Sequence, residues 1–292
     1  MALLSIILAH FIADFYLQKD RMANNKEKYL RLHMMHHAVC LLVALLFIWG
    51  RNYQSQGFFQ YVLFPLIIIL TTHYFIDLSK INMGKSQRVR DLLGSYYDLK
   101  LFISDQILHL LVLMITCHLF FNLPFHFVFD NIIASFQSGV TLSFTDKFLF
   151  LAIIIIAATS ISGHIIAKTL GNPSINITTF EGKLTFKSDS LDDRSGKLTE
   201  LNRGVSEEYH YLLLNNRYNR GRTIGYIERL LVLILTYYSA YPAIAFIITA
   251  KSIARFKQME DRDFAEYFLL GTLLSMLFGI ALGLVMRIVL GG

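Results

Sequence analysis

Residues 70–80 read LTTHYFIDLSK, and this stretch decides the class of fold. It ends an apolar run that begins near residue 58, long enough to cross a bilayer, which takes about 20 helical residues. Inside the run sit His73 and Asp77, four residues apart and therefore one turn apart on one helix face. A charged side chain at bilayer depth costs about 2.5–3.5 kcal/mol on insertion scales, so it needs partners and usually marks function. The same spacing recurs in three other apolar segments. ILAHFIADFYLQ (7–18) carries His10 and Asp14, LFISDQILHLL (101–111) carries Asp105 and His109 in the reverse order, and LRLHMMHHAVCLL (30–42) carries His33 and His37.

Composition agrees with a bilayer as solvent. The 292 residues are 54% hydrophobic and 16% charged, with a mean hydropathy of +0.49. A soluble domain averages about 25% charged residues. The first segment lacks the basic flank of a signal peptide, and His10 and Asp14 interrupt it. Cys40 and Cys117 both lie in apolar runs and form no disulfide framework or metal-finger spacing. The net charge of +6 sits in loops, where it reports topology and not nucleic-acid binding.

Apolar spans are expected at 3–19, 33–49, 58–80, 100–121 and 147–167, then a polar insert at 169–222, then apolar regions at 224–250 and 264–289. Within the insert, INITTFEGKLTF (175–186) reads as a short β-hairpin and SEEYHYLLLNN (206–216) as a short helix. Basic residues crowd the loop after the first span (Lys19, Arg21, Lys26, Lys28, Arg31) and the loop after the third (Lys80, Lys85, Arg88, Arg90). The positive-inside rule then puts these loops and the insert in the cytoplasm and the N-terminus outside. A single span over 224–250 would leave Lys251, Arg255, Lys257 and Arg262 facing outward. Pro242, in YSAYPA (238–243), instead allows two short helices that enter and leave on one side. The fold expected is therefore all-α: a polytopic helical membrane protein of about six full spans plus a re-entrant hairpin, the alternative being seven spans. Its parts are a tandem helical-hairpin repeat at 1–122, an outer loop and fifth span at 123–168, the insert at 169–222, and the re-entrant hairpin and last span at 223–292.

Depth unites the pairs. The first and third spans run inward and read His then Asp; the fourth runs outward and reads Asp then His. In all three the aspartate is nearer the cytoplasm, roughly 5–8 Å below the helix end, and the histidine about 11–14 Å below it. A shared site explains an order that reverses with chain direction. The repeat points the same way, since HFIADFYLQK (10–19) matches HYFIDLSK (73–80), and HMMHHAVCLLVAL (33–45) aligns with DQILHLLVLMITC (105–117). Imidazole and carboxylate are ligands for zinc, manganese or iron. His10, Asp14, His37, His73, Asp77, Asp105 and His109 are the expected ligands for one or two divalent ions, with Asp77 or Asp105 as base or ligand. Helix–helix hydrogen bonding is the bland alternative, at about 0.6 kcal/mol per contact on average.

LAHFIADFYLQ, MHHAV, HYFIDLSK and DQILHLL, with GRTIGYIERLL (221–231), KSIARF (251–256) and EYFLLGTLLS (266–275), resemble a family of uncharacterised polytopic proteins of bacteria and large phages, the phiKZ-type membrane proteins. That resemblance implies the membrane architecture and no activity.

Lys80, Arg222, Glu228 and Arg229 are candidates for binding an anionic substrate, because arginine forks suit phosphate and carboxylate. Arg229 is expected to meet Glu228, Glu266 or a bound anion. Snorkelling is the plainer reading of Arg222, Lys251 and Arg255. His118, His126, His164 and His210 have no matched acid and read as packing or surface residues. The function expected is a metal-dependent membrane hydrolase of a lipid or phosphoester substrate; the alternatives are a proton or metal transporter and a scaffold whose polar pairs only lock helices. No nucleic-acid partner is expected.

Overall fold

The computed structural model describes residues 1–124, 142–171, 180–184, 207–211, 220–260 and 262–291. Most of the outer loop, with His126, and the rest of the insert lie outside the described residues. Helix α1 (Ala2–Phe11) runs on into a π-helical turn (Ile12–Leu17). A short α2 (Asp20–Asn24) leads to α3 (Lys26–Asn52). A second π-helical turn (Phe59–Leu63) opens α4 (Phe64–Lys85), followed by α5 (Gln87–Leu93) and α6 (Tyr97–Phe121). Then come α7 (Phe144–Ile156), a third π-helical turn (Ala157–Ile161) and α8 (Ser162–Leu170). The chain closes with α9 (Arg220–Tyr237), α10 (Tyr241–Ala254), a 3-10 turn (Phe256–Glu260) and α11 (Arg262–Leu290).

The protein is a polytopic helical membrane protein. Among the described residues, five helices are long and apolar enough to span a bilayer: Lys26–Asn52, Phe59–Lys85, Tyr97–Phe121, Phe144–Leu170 and Phe264–Leu290. Ala2–Leu17 and Tyr241–Ala254 are shorter apolar helices. Val39, Val43, Ile67, Phe75, Ile115 and Leu119 point outward and stay exposed, as lipid-facing side chains do. Local chemistry starts several helices. Ser143 Oγ accepts from the Asp146 N–H at 3.2 Å and donates to its carboxylate at 2.8 Å, capping α7. Pro242 sits in the first turn of α10, where a missing N–H costs nothing.

Four helices form a closed ring: α1 lies beside α3, α3 beside α4, α4 beside α6, and α6 beside α1. One end of this bundle is an apolar plug of Ile6, Leu41, Leu45, Ile48, Val62, Ile69, Leu113 and Cys117. The polar residues occupy the other end.

The fold-back expected at Pro242 is present. The chain breaks at Tyr238–Ala240, with Ser239 in the left-handed region at φ 59°. Lys251, late in α10, donates to Glu228, early in α9, at 2.8 and 2.6 Å. Ile244 packs with Val232 and Met276. At 14 residues α10 is about 21 Å long, short of the hydrocarbon thickness. Helices α9 and α11 approach closely because Gly279 and Gly283 carry no side chain. A Cβ on Gly283 would lie 2.6 Å from Thr236 Cβ, and one on Gly279 would lie 2.8 Å from Val232 Cγ1. This is small-residue packing at four-residue spacing, used where lipid supplies no hydrophobic drive between helices.

Residues Pro173–Asn219 form a separate compact unit. In it β1 (Phe180–Leu184) pairs antiparallel with β2 (Glu207–Tyr211), Phe180 opposite Tyr211 and Leu184 opposite Glu207. This corrects two readings. The 175–186 segment supplies one strand of a distant pairing and not a local hairpin, and EEYHY is a strand and not a helix. Its alternating tyrosines suit a pleated strand, a preference that packing context decides.

Candidate metal centre

Each helix of the ring brings a pair of side chains to the polar end. The three acid–histidine pairs close within their own helices: His10 Nε2 to Asp14, His73 Nε2 to Asp77, and His109 Nε2 to Asp105, each at 3.5 Å. Spacing of four achieves this in α4 and α6 by helix geometry alone. In the first pair Asp14 lies on the π-helical turn, a feature often found at functional sites.

The pairs then join across helices. Asp14 Oδ1 receives His37 Nε2 at 3.0 Å and His33 Nε2 at 3.3 Å, both from α3. His33 Nε2 also lies 3.2 Å from Asp77 on α4 and 3.4 Å from His73 Nε2. His109 reaches Asp77 at 3.9 Å. The His10 ring stands 5.0–5.4 Å from the rings of His37, His73 and His109. His10, His33, His37, His73, His109, Asp77 and Asp105 are buried, and the Asp14 side chain is nearly so.

Two sets of ligand atoms lie close enough to hold a metal ion, within 4.8 Å of one another: Asp14, His33, His37 and His73, and, sharing His73, the set His73, Asp77 and His109. The first set fits well. Tetrahedral bonds of 2.0–2.2 Å place neighbouring ligand atoms about 3.3 Å apart. The observed separations from Asp14 to His37, Asp14 to His33, and His33 to His73 are 3.0, 3.3 and 3.4 Å. Nearby, His10 Nε2, His109 Nε2 and Asp105 Oδ1 are buried without a hydrogen bond. Buried polar atoms are nearly always satisfied, and these orphaned atoms fit the neighbourhood of a bound cation.

The two sets differ in charge. Asp77 is paired with Lys26 at 3.0 Å, and Asp105 with Lys80. Among the described residues Asp14 is bonded to no lysine; its other oxygen accepts from Gln106 Nε2 at 2.9 Å. The carboxylate still lacking a full counter-charge is thus the one ringed by imidazoles.

All seven expected ligands meet here, with His10 and Asp105 at the margin of the two sets. His33, Lys26 and Gln106 were not among the expected site residues. His33 carried a signal, since it shares a helix face with His37. Lys26 and Gln106 carried none, because their partners lie on other helices. Of the expected anion-binding residues, Lys80 reaches the site as the partner of Asp105. Glu228 and Arg229 do not pair. Glu228 binds Lys251, while Arg229 sends Nε to the Ala158 carbonyl at 2.5 Å and Nη2 to that of Thr159 at 3.0 Å. Glu266 pairs with Arg262. Both carbonyls lie on the third π-helical turn, and that of Ala158 also accepts from Ser162 Oγ at 2.6 Å. Arg229 is buried, so it does not face lipid. Arg222 is exposed at the start of α9. The His164 ring stacks on Phe102 and meets Phe15 edge-on, a packing role.

Residues 2–137 match the model of a family described as a protein of unknown function, DUF3307. The matched stretch contains the whole ring and every His and Asp of the site. It stops short of the C-terminal motifs and does not bear out the phiKZ-type resemblance. No curated protein matches the chain, and no solved structure does.

Proposed function

We propose that the ring of α1, α3, α4 and α6 holds a divalent transition-metal ion and hydrolyses an anionic, phosphoester-type substrate from the cytoplasmic side of the bacterial inner membrane. One observation carries the reading: Asp14, without a lysine among the described residues, faces His33, His37 and His73, with the four ligand atoms within 4.8 Å of one another. Nitrogen and oxygen ligands without thiolate suit zinc, manganese or iron. Such an ion, when bound, lowers the pKa of a coordinated water towards 7. Asp77 and Asp105 flank His109 and are placed to take and pass a proton. The basic loops beside the polar end support a cytoplasmic opening and an outside N-terminus. The apolar plug at the far end argues against a conduit through the ring.

Elemental analysis of gently extracted protein tests the metal, with about one ion per chain expected in the wild type and none in Asp14→Asn/His37→Ala. A panel of soluble and lipid phosphoesters tests hydrolysis. Turnover lost on chelation and restored by metal supports it. A metal-replete protein inert to the whole panel refutes hydrolysis and leaves the metal centre standing.

A further inference from the structure

A cleft of about 640 Å³ opens between α6 and the neighbouring α8. Arg90 on α5, the turn from Gly94 into α6, and Lys168–Gly171 at the end of α8 line it. Ligand pockets hold about 300–1,000 Å³, so the volume suits a phosphorylated headgroup and exceeds what bare phosphate fills. The helices fix its depth. Tyr97 is the first residue of one spanning helix, Tyr97–Phe121, and Leu170 is the last of another, Phe144–Leu170. The cleft therefore lies where two spans leave the hydrocarbon, at the level of lipid phosphates.

Its charge is positive and held in place. Arg90 Cζ stands 5.5 Å over the Tyr97 ring and Lys168 Nζ 5.8 Å over the Phe102 ring, both on α6. The rings are themselves anchored. Tyr97 is buried and its hydroxyl donates to the Met83 carbonyl at 3.0 Å, and Phe102 is buried with the His164 ring stacked on it. A ring face positions a cation without neutralising it. Among the described residues neither Arg90 nor Lys168 has a carboxylate partner. Lys80, also over Phe102, is held by Asp105 and does not line the cleft. Asp98, in the first turn of α6, is the one carboxylate on the lining, which leaves a surplus of one positive charge.

We propose that this cleft binds the headgroup of an anionic phospholipid, a phosphodiester bearing a hydroxyl. The single negative charge of a phosphodiester matches the surplus. Arg90 offers a fork and Lys168 a point charge to its oxygens. Asp98 accepts from the hydroxyl beyond the phosphate. Tyr96 and Leu170 add apolar surface for the start of the acyl chains. Basic pockets between membrane helices are a recurrent seat for anionic headgroups. The site stands apart from the metal reading, because no hydrogen bond or ion pair joins Arg90 or Lys168 to the His/Asp cluster among the described residues.

The test is equilibrium binding of lipid to the detergent-purified full chain, read by native mass spectrometry, with thermal stability measured alongside. Phosphatidylglycerol should be retained and should raise the melting temperature. Phosphatidylcholine, which has the phosphodiester but no net charge and no headgroup hydroxyl, should do neither. Arg90→Gln/Lys168→Gln should weaken phosphatidylglycerol binding by about tenfold or more, since each basic residue near an anionic headgroup contributes about fivefold. Arg90→Lys/Lys168→Arg, which keeps both charges, should retain most of the affinity. Arg31→Gln/Arg88→Gln removes the same charge from exposed positions off the cleft and should change binding less than about twofold. Equal binding of phosphatidylcholine, or an equal loss in Arg31→Gln/Arg88→Gln, would mean attraction by general surface charge and overturns the site. Glycerophosphoglycerol, the same headgroup without acyl chains, binding as tightly as the lipid overturns lipid as the ligand.

Discussion

The ring at residues 1–124 and the α9–α11 pair solve one problem in opposite ways. Lipid is as apolar as leucine, so burial alone does not hold membrane helices together. The ring joins its helices through ionisable side chains that each reach two or three partners, and its backbones need not approach closely. The α9–α11 pair brings backbones together over Gly279 and Gly283. A polar network can bind ligands because its partners are exchangeable. A glycine contact has nothing to exchange and only fixes distance. The candidate metal centre therefore lies in the ring, and the close backbone packing in the C-terminal pair.

If that division holds, substitutions should separate the two properties. The largest effect is expected at Asp14. Asp14→Ala should weaken metal binding more than about 100-fold, since even changes behind the ligands cost 10–100-fold, while α9 and α11 stay together, as unchanged hydrogen-exchange protection of their amides would report. Next comes Gly283→Val, which drives a branched side chain into Thr236 and the Leu233 carbonyl. It should cost about 3 kcal/mol or more, visible as a lower melting temperature, with metal content per folded chain unchanged. Loss of metal in that variant would mean the two regions are one cooperative unit.

Arg229→Met removes the side-chain donor of the Thr159 carbonyl and one of two at the Ala158 carbonyl, which still accepts from Ser162 Oγ, and should cost about 2 kcal/mol. Arg229→Lys should recover only part, because a point charge does not span both oxygens as the fork does. At the α9–α10 hairpin, Lys251→Met strands Glu228 and should cost about 2 kcal/mol, whereas Lys251→Met/Glu228→Gln should regain most of it; a double-mutant cycle in thermal unfolding reads the difference. The smallest effect is expected at His164→Phe, within about 0.5 kcal/mol of wild type and with no change in metal content. A drop in metal there would place His164 in the network and contradict its packing role.

The ring was legible because its signal is periodic. Spacing of four defines a face, and the reversal from His10–Asp14 to Asp105–His109 follows from chain direction, so both can be read without coordinates. The pairing of helices could not. Lys26 with Asp77, Gln106 with Asp14, and Arg229 with the carbonyls of the third π-helical turn are all contacts between distant segments, and neither partner shows in sequence which other it will meet. The insert makes the same point. FEGKL and EEYHY each carry weak local preferences, and only the pairing between them makes both strands.

The chain by itself determined a polytopic helical membrane protein with ionisable pairs gathered at one depth, because apolar length and residue spacing are local properties. The tertiary structure alone decided which aspartate keeps its charge exposed to imidazoles and which two are neutralised by lysine. That choice depends on which helices become neighbours, and neighbours are set by shape: the closed ring, the π-helical turn that carries Asp14, and the plug that leaves the site one open end.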